Sequence, residues 1–205
     1  MSELFVSALV TFLVVIDPPG CAPIFVSLTR GASAAHRRAM AVRSVLIASG
    51  ILLFFGLLGE DLLRALGISL SAFRIAGGIM LFLIALEMVF ERRTERRESR
   101  AQEVSESDHD DISVFPMAIP MIAGPGSIAS IMLLEARSNG LTESLIVFGA
   151  LLATLVLTLL ALLAAGPLMR LLGHRMEAMV TRILGVILAA LAAQFVIDGI
   201  ERSFS

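Results

Sequence analysis

The stretch VVIDPPGCAP, Val14–Pro23, decides how the rest of the chain is read. It sets an acid, two adjacent prolines, a glycine and a third proline inside an apolar run from Leu4 to Leu28. Proline removes a backbone donor and clashes with the carbonyl four residues earlier, at about 3 kcal/mol or more in a helix interior. Pro18, Pro19 and Pro23 therefore predict that no continuous helix passes through Asp17–Pro23. The run itself is long enough to cross a bilayer, whose ~30 Å of hydrocarbon takes about 20 residues of helix. Lipid cannot hydrogen-bond the freed backbone groups, so they must face protein or a wet cavity.

Composition supports a membrane class. Hydrophobic residues are 57% of the 205 and charged residues 17%, against about 45–50% and about 25% in soluble domains. Mean hydropathy is +0.90. Six apolar runs are expected to span: Leu4–Leu28, Met40–Leu58, Phe73–Phe90, Ser113–Leu134, Glu143–Ala165 and Thr181–Ile200. They leave no room for a soluble domain, so the fold class is an all-α integral membrane protein. Only Glu3 is charged before Asp17, so the first run lacks the basic start of a cleaved signal and is expected to stay as a span. Cys21 is the one cysteine, which excludes an internal disulfide; a small buried filler is its expected role.

All sixteen basic residues are arginine, and twelve lie in or beside the intervals after runs one, three and five. Arg64, Arg74, Arg137 and Arg202 are the remainder. Arginine-rich loops stay in the cytoplasm, so both termini are expected outside an inner membrane. The charged interval Glu91–Asp111, ERRTERRESRAQEVSESDHDD, is expected as a flexible cytoplasmic loop. His36, His109 and His174 fall in polar intervals and read as solvated.

An internal repeat orders these runs. Val14–Ile24 aligns with MIAGPGSIAS, which places Ile16 over Ile122, Asp17 over Ala123, Pro19 over Pro125 and Gly20 over Gly126. Leu62–Gly67 falls on Leu168–Gly173, and Arg74–Leu86 on Arg182–Gln194. Two three-span units, residues 1–90 and 113–205, are thus joined by a loop at 91–112. Three is odd, so the copies enter the membrane from opposite sides. Such inverted-topology repeats recur in secondary transporters, whose sites form at discontinuous helices near the midplane. Helices one and four are the discontinuous pair here. Gly77, Gly78 and Gly185 are expected to bring helices close within each repeat.

The paired breaks read either as kinks that shape packing or as a substrate site. Each would expose carbonyls ending one half-helix and amides starting the next. Asp17 before proline is good N-cap chemistry, yet a central acid is also a functional candidate. Ala123 leaves the second half-helix start uncapped. The asymmetry suits a zwitterion: amides at Gly126 and Ser127 for a carboxylate, Asp17 and the carbonyls near Val15 and Ile16 for an ammonium. The candidate substrate-binding residues are Asp17, Pro18, Pro19, Gly20, Cys21, Gly124, Pro125, Gly126 and Ser127. Glu87, Gln194 and Asp198 read as interfacial or structural. Thr11, Ser27 and Ser130 are expected to bond a preceding turn or a neighbouring helix. No Walker motif, HExxH or nucleophile elbow is present, so neither an enzyme nor an ATP-driven pump is expected.

The signatures VIDPPGCAPIFVSLT and FPMAIPMIAGPGSIASIMLL resemble the MarC family of bacterial inner-membrane proteins, over essentially the whole chain. That resemblance implies likeness to LysE-type exporters and to transporters of small neutral amino acids such as glycine and alanine. It would carry the site onto Asp17–Gly20 and Gly124–Ser127. Cys21 stands where asparagine is expected in relatives. The expected function is gradient-driven transport, with coupling to H+ or Na+ open and no cofactor. The expected partners are a small-molecule substrate and the lipid bilayer, with no nucleic acid; a homo-oligomer stays open. The alternatives are an exporter of lipid-linked, metal or drug cargo, and a non-transporting membrane scaffold.

Overall fold

The apolar runs fold as helices, and no strand occurs among the described residues. The computed structural model describes residues 2–93, 95–97, 99 and 111–204, with the backbone alone at 168–175 and 177. In chain order the helices are α1 Ser2–Ile16, α2 Pro18–Leu28, α3 Ala34–Ala65 and α4 Leu70–Val89, then α5 Pro125–Glu135, α6 Leu141–Leu163 and α7 Ala165–Phe204. Between α4 and α5 lies a widely coiled segment, Ser113–Ile122, in which Phe115 and Ile119 are extended. Five stretches are long and apolar enough to cross a membrane: Ser2–Leu28, Ala34–Ala65, Leu70–Val89, Leu141–Leu163 and Ala178–Phe204. A sixth results if Ser113–Ile122 and Pro125–Glu135, bent by 52° at their junction, form one span.

Three expectations about the elements and their packing are corrected. The interruption expected across Asp17–Pro23 shrinks to Asp17, because α2 starts at Pro18 and runs through Pro23. Pro18 and Pro19 occupy the first turn, where no N–H bond is lost. The interval before the sixth run is helical throughout: Arg170, His174 and Arg175 have helical backbone in α7. The matched block in the first half ends α3 instead, with Gly67 left-handed at φ 71° and Ser69 capping α4. No Ser or Thr stands at the position of Ser69 in the second half to start a new helix.

The third correction concerns the glycines. A Cβ at Gly78 would lie 2.9 Å from the Ala192 carbonyl oxygen, and one at Gly185 3.1 Å from that of Ala85. Gly199 approaches Ile75 in the same way. These contacts run antiparallel and join α4 to α7, so they cross between the two halves of the chain. The α4–α7 pair is the most extensive helix contact in the fold. At the centre, α1 buries Ala8, Phe12 and Val14–Ile16 against α5, α6 and α7.

Candidate functional site

The site is built from the two places where the helices are interrupted. At the first, Asp17 sits left-handed at φ 57°, and its side chain accepts from the Gly20 amide at 3.2 Å. Local chemistry explains this: an acid ahead of two prolines caps a helix whose first N–H groups are partly absent. Gly20 is required by crowding, since a Cβ there would fall 2.2 Å from Asp17 Oδ2. Asp17 and Cys21 are buried, and the Cys21 thiol donates to the Ile16 carbonyl at 3.5 Å.

The groups that meet the end of α1 come from the charged interval after α4. Glu91 turns the chain at φ 60°, and the described residues from 92 to 99 have helical backbone. Arg93 and Arg97, four apart, share one face of that turn. Arg93 donates to the Val15 carbonyl at 2.6 Å and lies 2.9 Å from Met88 Sδ. Arg97 donates to Asp17 Oδ2 at 3.1 Å and to the Ile16 carbonyl at 3.5 Å. The Arg97–Asp17 pair is buried, with side chains 11% and 2% exposed. Burial first, then Arg97 beside it, draws Arg93 down to about 10, which leaves it charged at neutral pH. Tethered guanidinium groups hold the acceptors at Asp17, Val15 and Ile16 that were expected to take an ammonium. Where a flexible connector was expected, the described residues 92, 93, 95–97 and 99 have helical backbone, and Arg93 and Arg97 among them meet the carbonyls at the end of α1. The connector's remainder at 101–110, with His109, lies outside the described residues.

At the second interruption, Gly124 precedes α5 with extended backbone (φ −82°, ψ 171°) and no side-chain cap. A Cβ at Gly124 would sit 2.4 Å from the Pro120 carbonyl oxygen, so only glycine fits that approach. The first-turn amides of Gly126 and Ser127 have no hydrogen-bond partner among the described residues, nor has the Ser127 hydroxyl, although Ser127 is 2% exposed. These groups line a cavity of about 290 Å³. Gly124, Pro125, Gly126 and Ser127 form one wall, with Pro116, Pro120 and Met121 beside them. Met80, Leu83, Ile84 and Glu87 of α4 form another. Val15, Arg93, Arg96 and Arg97 close the inner end. Val15 links both interruptions, since its carbonyl takes Arg93 while its Cγ1 lies 3.1 Å from a Cβ placed on Gly126.

Of the candidate residues, Gly124–Ser127 line this cavity, whereas Asp17, Pro18, Pro19, Gly20 and Cys21 stand outside its wall. Glu87 lines it and pairs with Arg96 at 2.9 Å. Asp198 accepts from Gln194 at 2.7 Å and pairs with Arg137 at the opposite end of the bundle. Thr11 donates to the Ser7 carbonyl at 2.8 Å. Ser130, expected to do likewise, is buried with no partner for its hydroxyl among the described residues. Arg93, Arg96 and Arg97 were missed as site residues. Their signal is the arginine spacing in RRTERRESR, which reads equally as a solvated run.

Comparison with known proteins agrees with this architecture in class. The family model for "MarC family integral membrane protein" matches residues 2–204. The UPF0056 membrane protein MJ1677 of Methanocaldococcus jannaschii is 36% identical over 199 residues, covering 97% of each chain. The UPF0056 inner membrane protein YhgN of Escherichia coli is 35% identical, covering 98% of each. The UPF0056 membrane protein YvbG of Bacillus subtilis is 32% identical, covering all of this chain and 97% of its own. No solved structure matches. With its whole length matched and its helices apolar enough to span, the chain belongs to the MarC family of integral membrane proteins.

Proposed function

We propose that this protein is a gradient-driven secondary transporter of small neutral amino acids, built from two inverted repeats, 1–90 and 113–205, whose first and fourth spans are discontinuous. The carrying observation is the cavity of about 290 Å³ at the start of α5. Its size is near the lower end for ligand pockets, which suits a small solute. Two amides and the Ser127 hydroxyl await an oxyanion at the positive end of a helix. Glu87, on the facing wall, pairs with Arg96 through Oε1 and offers Oε2 to the ammonium in place of Asp17. Asp17 is then a structural acid that fixes Arg97.

Alternating access would open the cavity to each side in turn by moving one repeat against the other. Uptake of radiolabelled glycine, alanine and serine into proteoliposomes, with imposed H+ or Na+ gradients, tests the proposal. Saturable uptake is expected, lowered at least tenfold by Glu87→Gln. Failure of all three solutes to accumulate under either gradient would sink it. A scaffold would instead keep its cellular phenotype when Pro125 is replaced by alanine.

A further inference from the structure

The charged interval closes one end of the cavity, and side chains of α4 that face outward border another. Its walls of α4 and Ser113–Ile122 do not pack extensively against each other, and the lining residues Met80 and Leu83 are 38% and 56% exposed. Leu83 also lines a wholly apolar hollow of about 310 Å³ between α4 and α7, with Phe82 and Val196. Leu83 thus borders both the cavity and the apolar outer surface of α4.

The charge at that polar end is unbalanced in one place. Arg97 is paired with Asp17 and Arg96 with Glu87. Arg93 touches a carbonyl and a thioether, and it has no carboxylate partner among the described residues. It shares the cavity with the unpartnered Gly126 and Ser127 amides and with the Ser127 hydroxyl, itself buried. Three neutral donors and a guanidinium fork exceed what one carboxylate readily accepts, and they match the three oxygens of a phosphate monoester.

We infer that this cavity binds a lipid phosphate, its head held between Arg93 and the start of α5, its alkyl chain leaving past Met80 and Leu83. The phosphate would take the same donors as the amino-acid carboxylate above, so the two ligands compete for one cavity; the inference rests on that cavity as the site, but on binding alone and not on transport. The protein takes the ligand sideways from the leaflet nearer the charged interval. A free phosphate offers the same head without the chain, and the chain supplies the apolar contact that retains it.

Equilibrium dialysis of the full-length protein in detergent tests this with radiolabelled lysophosphatidic acid, lysophosphatidylcholine and glycerol 3-phosphate. Saturable binding of lysophosphatidic acid is expected, at least tenfold tighter than either comparison ligand. Ser127→Ala and Arg93→Gln should each weaken it roughly tenfold, the loss of one hydrogen bond to a charged group. Arg30→Gln, at an exposed arginine outside the cavity, should leave it unchanged. Equal binding of lysophosphatidylcholine would overturn the proposal, as would undiminished binding in Ser127→Ala, a variant small enough to fold. Glycerol 3-phosphate binding as tightly as the lipid would make the ligand a free anion and overturn the lipid assignment. Because uptake is not measured, failed amino-acid transport leaves a positive lipid result standing, and the reverse.

Discussion

Asp17 accepts from the Gly20 amide and pairs with Arg97 at 3.1 Å, so Asp17→Asn keeps the cap and removes the charge. Asparagine also tolerates the left-handed backbone at this position. Arg97 would then be a buried guanidinium without its counter-charge, a loss of about 3 kcal/mol. The double variant with Arg97→Gln should recover most of it, as a double-mutant cycle of thermal unfolding in detergent would show. Recovery would mark Asp17 as structural; a single variant as stable as the parent would reject the buried pair. The glycines of the second interruption separate in the same manner. Gly124→Ala drives a Cβ to 2.4 Å from a backbone carbonyl and should cost about 2 kcal/mol or more. Gly126→Ala meets the mobile end of Ile84 at 2.6 Å. It should cost less than about 1 kcal/mol while narrowing the cavity. Expression and melting of the two variants would check the ranking.

At the scale of elements, α5 is eleven residues long and buried over nearly its whole length. Packing holds it, because so short a helix is marginal by itself. Its C-terminal carbonyl at Ala136 accepts from Arg74 at 2.9 Å, a cation at the negative end of the dipole. Among the described residues its N-terminus has no such partner, which makes it the open end. The segment before it is anchored by Asp111, which accepts from the Ser113 hydroxyl and amide and pairs with Arg43. Those Ser113 bonds, and then Arg43, hold the Asp111 carboxyl below its usual range. A depressed folded pKa contributes stability that is present above the unfolded value near 3.9 and lost as pH falls through the folded one. Asp111 is largely exposed, so the effect should stay under about 1 kcal/mol. Between pH 6 and pH 3, Asp111→Asn should flatten the fall in melting temperature; an unchanged acid branch would remove Asp111 as the anchor.

Across the whole molecule, the arginine distribution predicts that the charged interval is cytoplasmic and the N-terminus outside. In a Cys21→Ser background, a membrane-impermeant maleimide on intact cells should label Ser2→Cys and spare Ser99→Cys until lysis. The opposite pattern would invert the topology and place the cavity mouth on the outer side. The antiparallel seam of α4 and α7 is where the two halves meet most closely. Its glycines bring the backbones so close that an added Cβ would meet the facing backbone at about 3 Å, so close packing, rather than a hydrophobic drive absent within lipid, holds the halves together.

The membrane class was legible in the chain alone, and Asp17 and Gly124, the N-caps of α2 and α5, lie in the two proline- and glycine-rich stretches. Hydropathy and the missing proline N–H act within a few residues of where they are written. Proline's reach was overstated at Pro23, whose neighbours in α2 sustain the helix, and the polar interval around His174 stays helical where no residue supplies the cap that Ser69 gives α4. Tertiary structure alone decided what faces each interruption. Arg97 lies 80 residues beyond Asp17 and reads locally as one charge in a solvated run. Its place at the end of α1, like the placing of Arg93 on the cavity that Gly126 lines, follows from the reach of charge and hydrogen bonding through a water-poor interior, where distance through space rather than along the chain sets the energy.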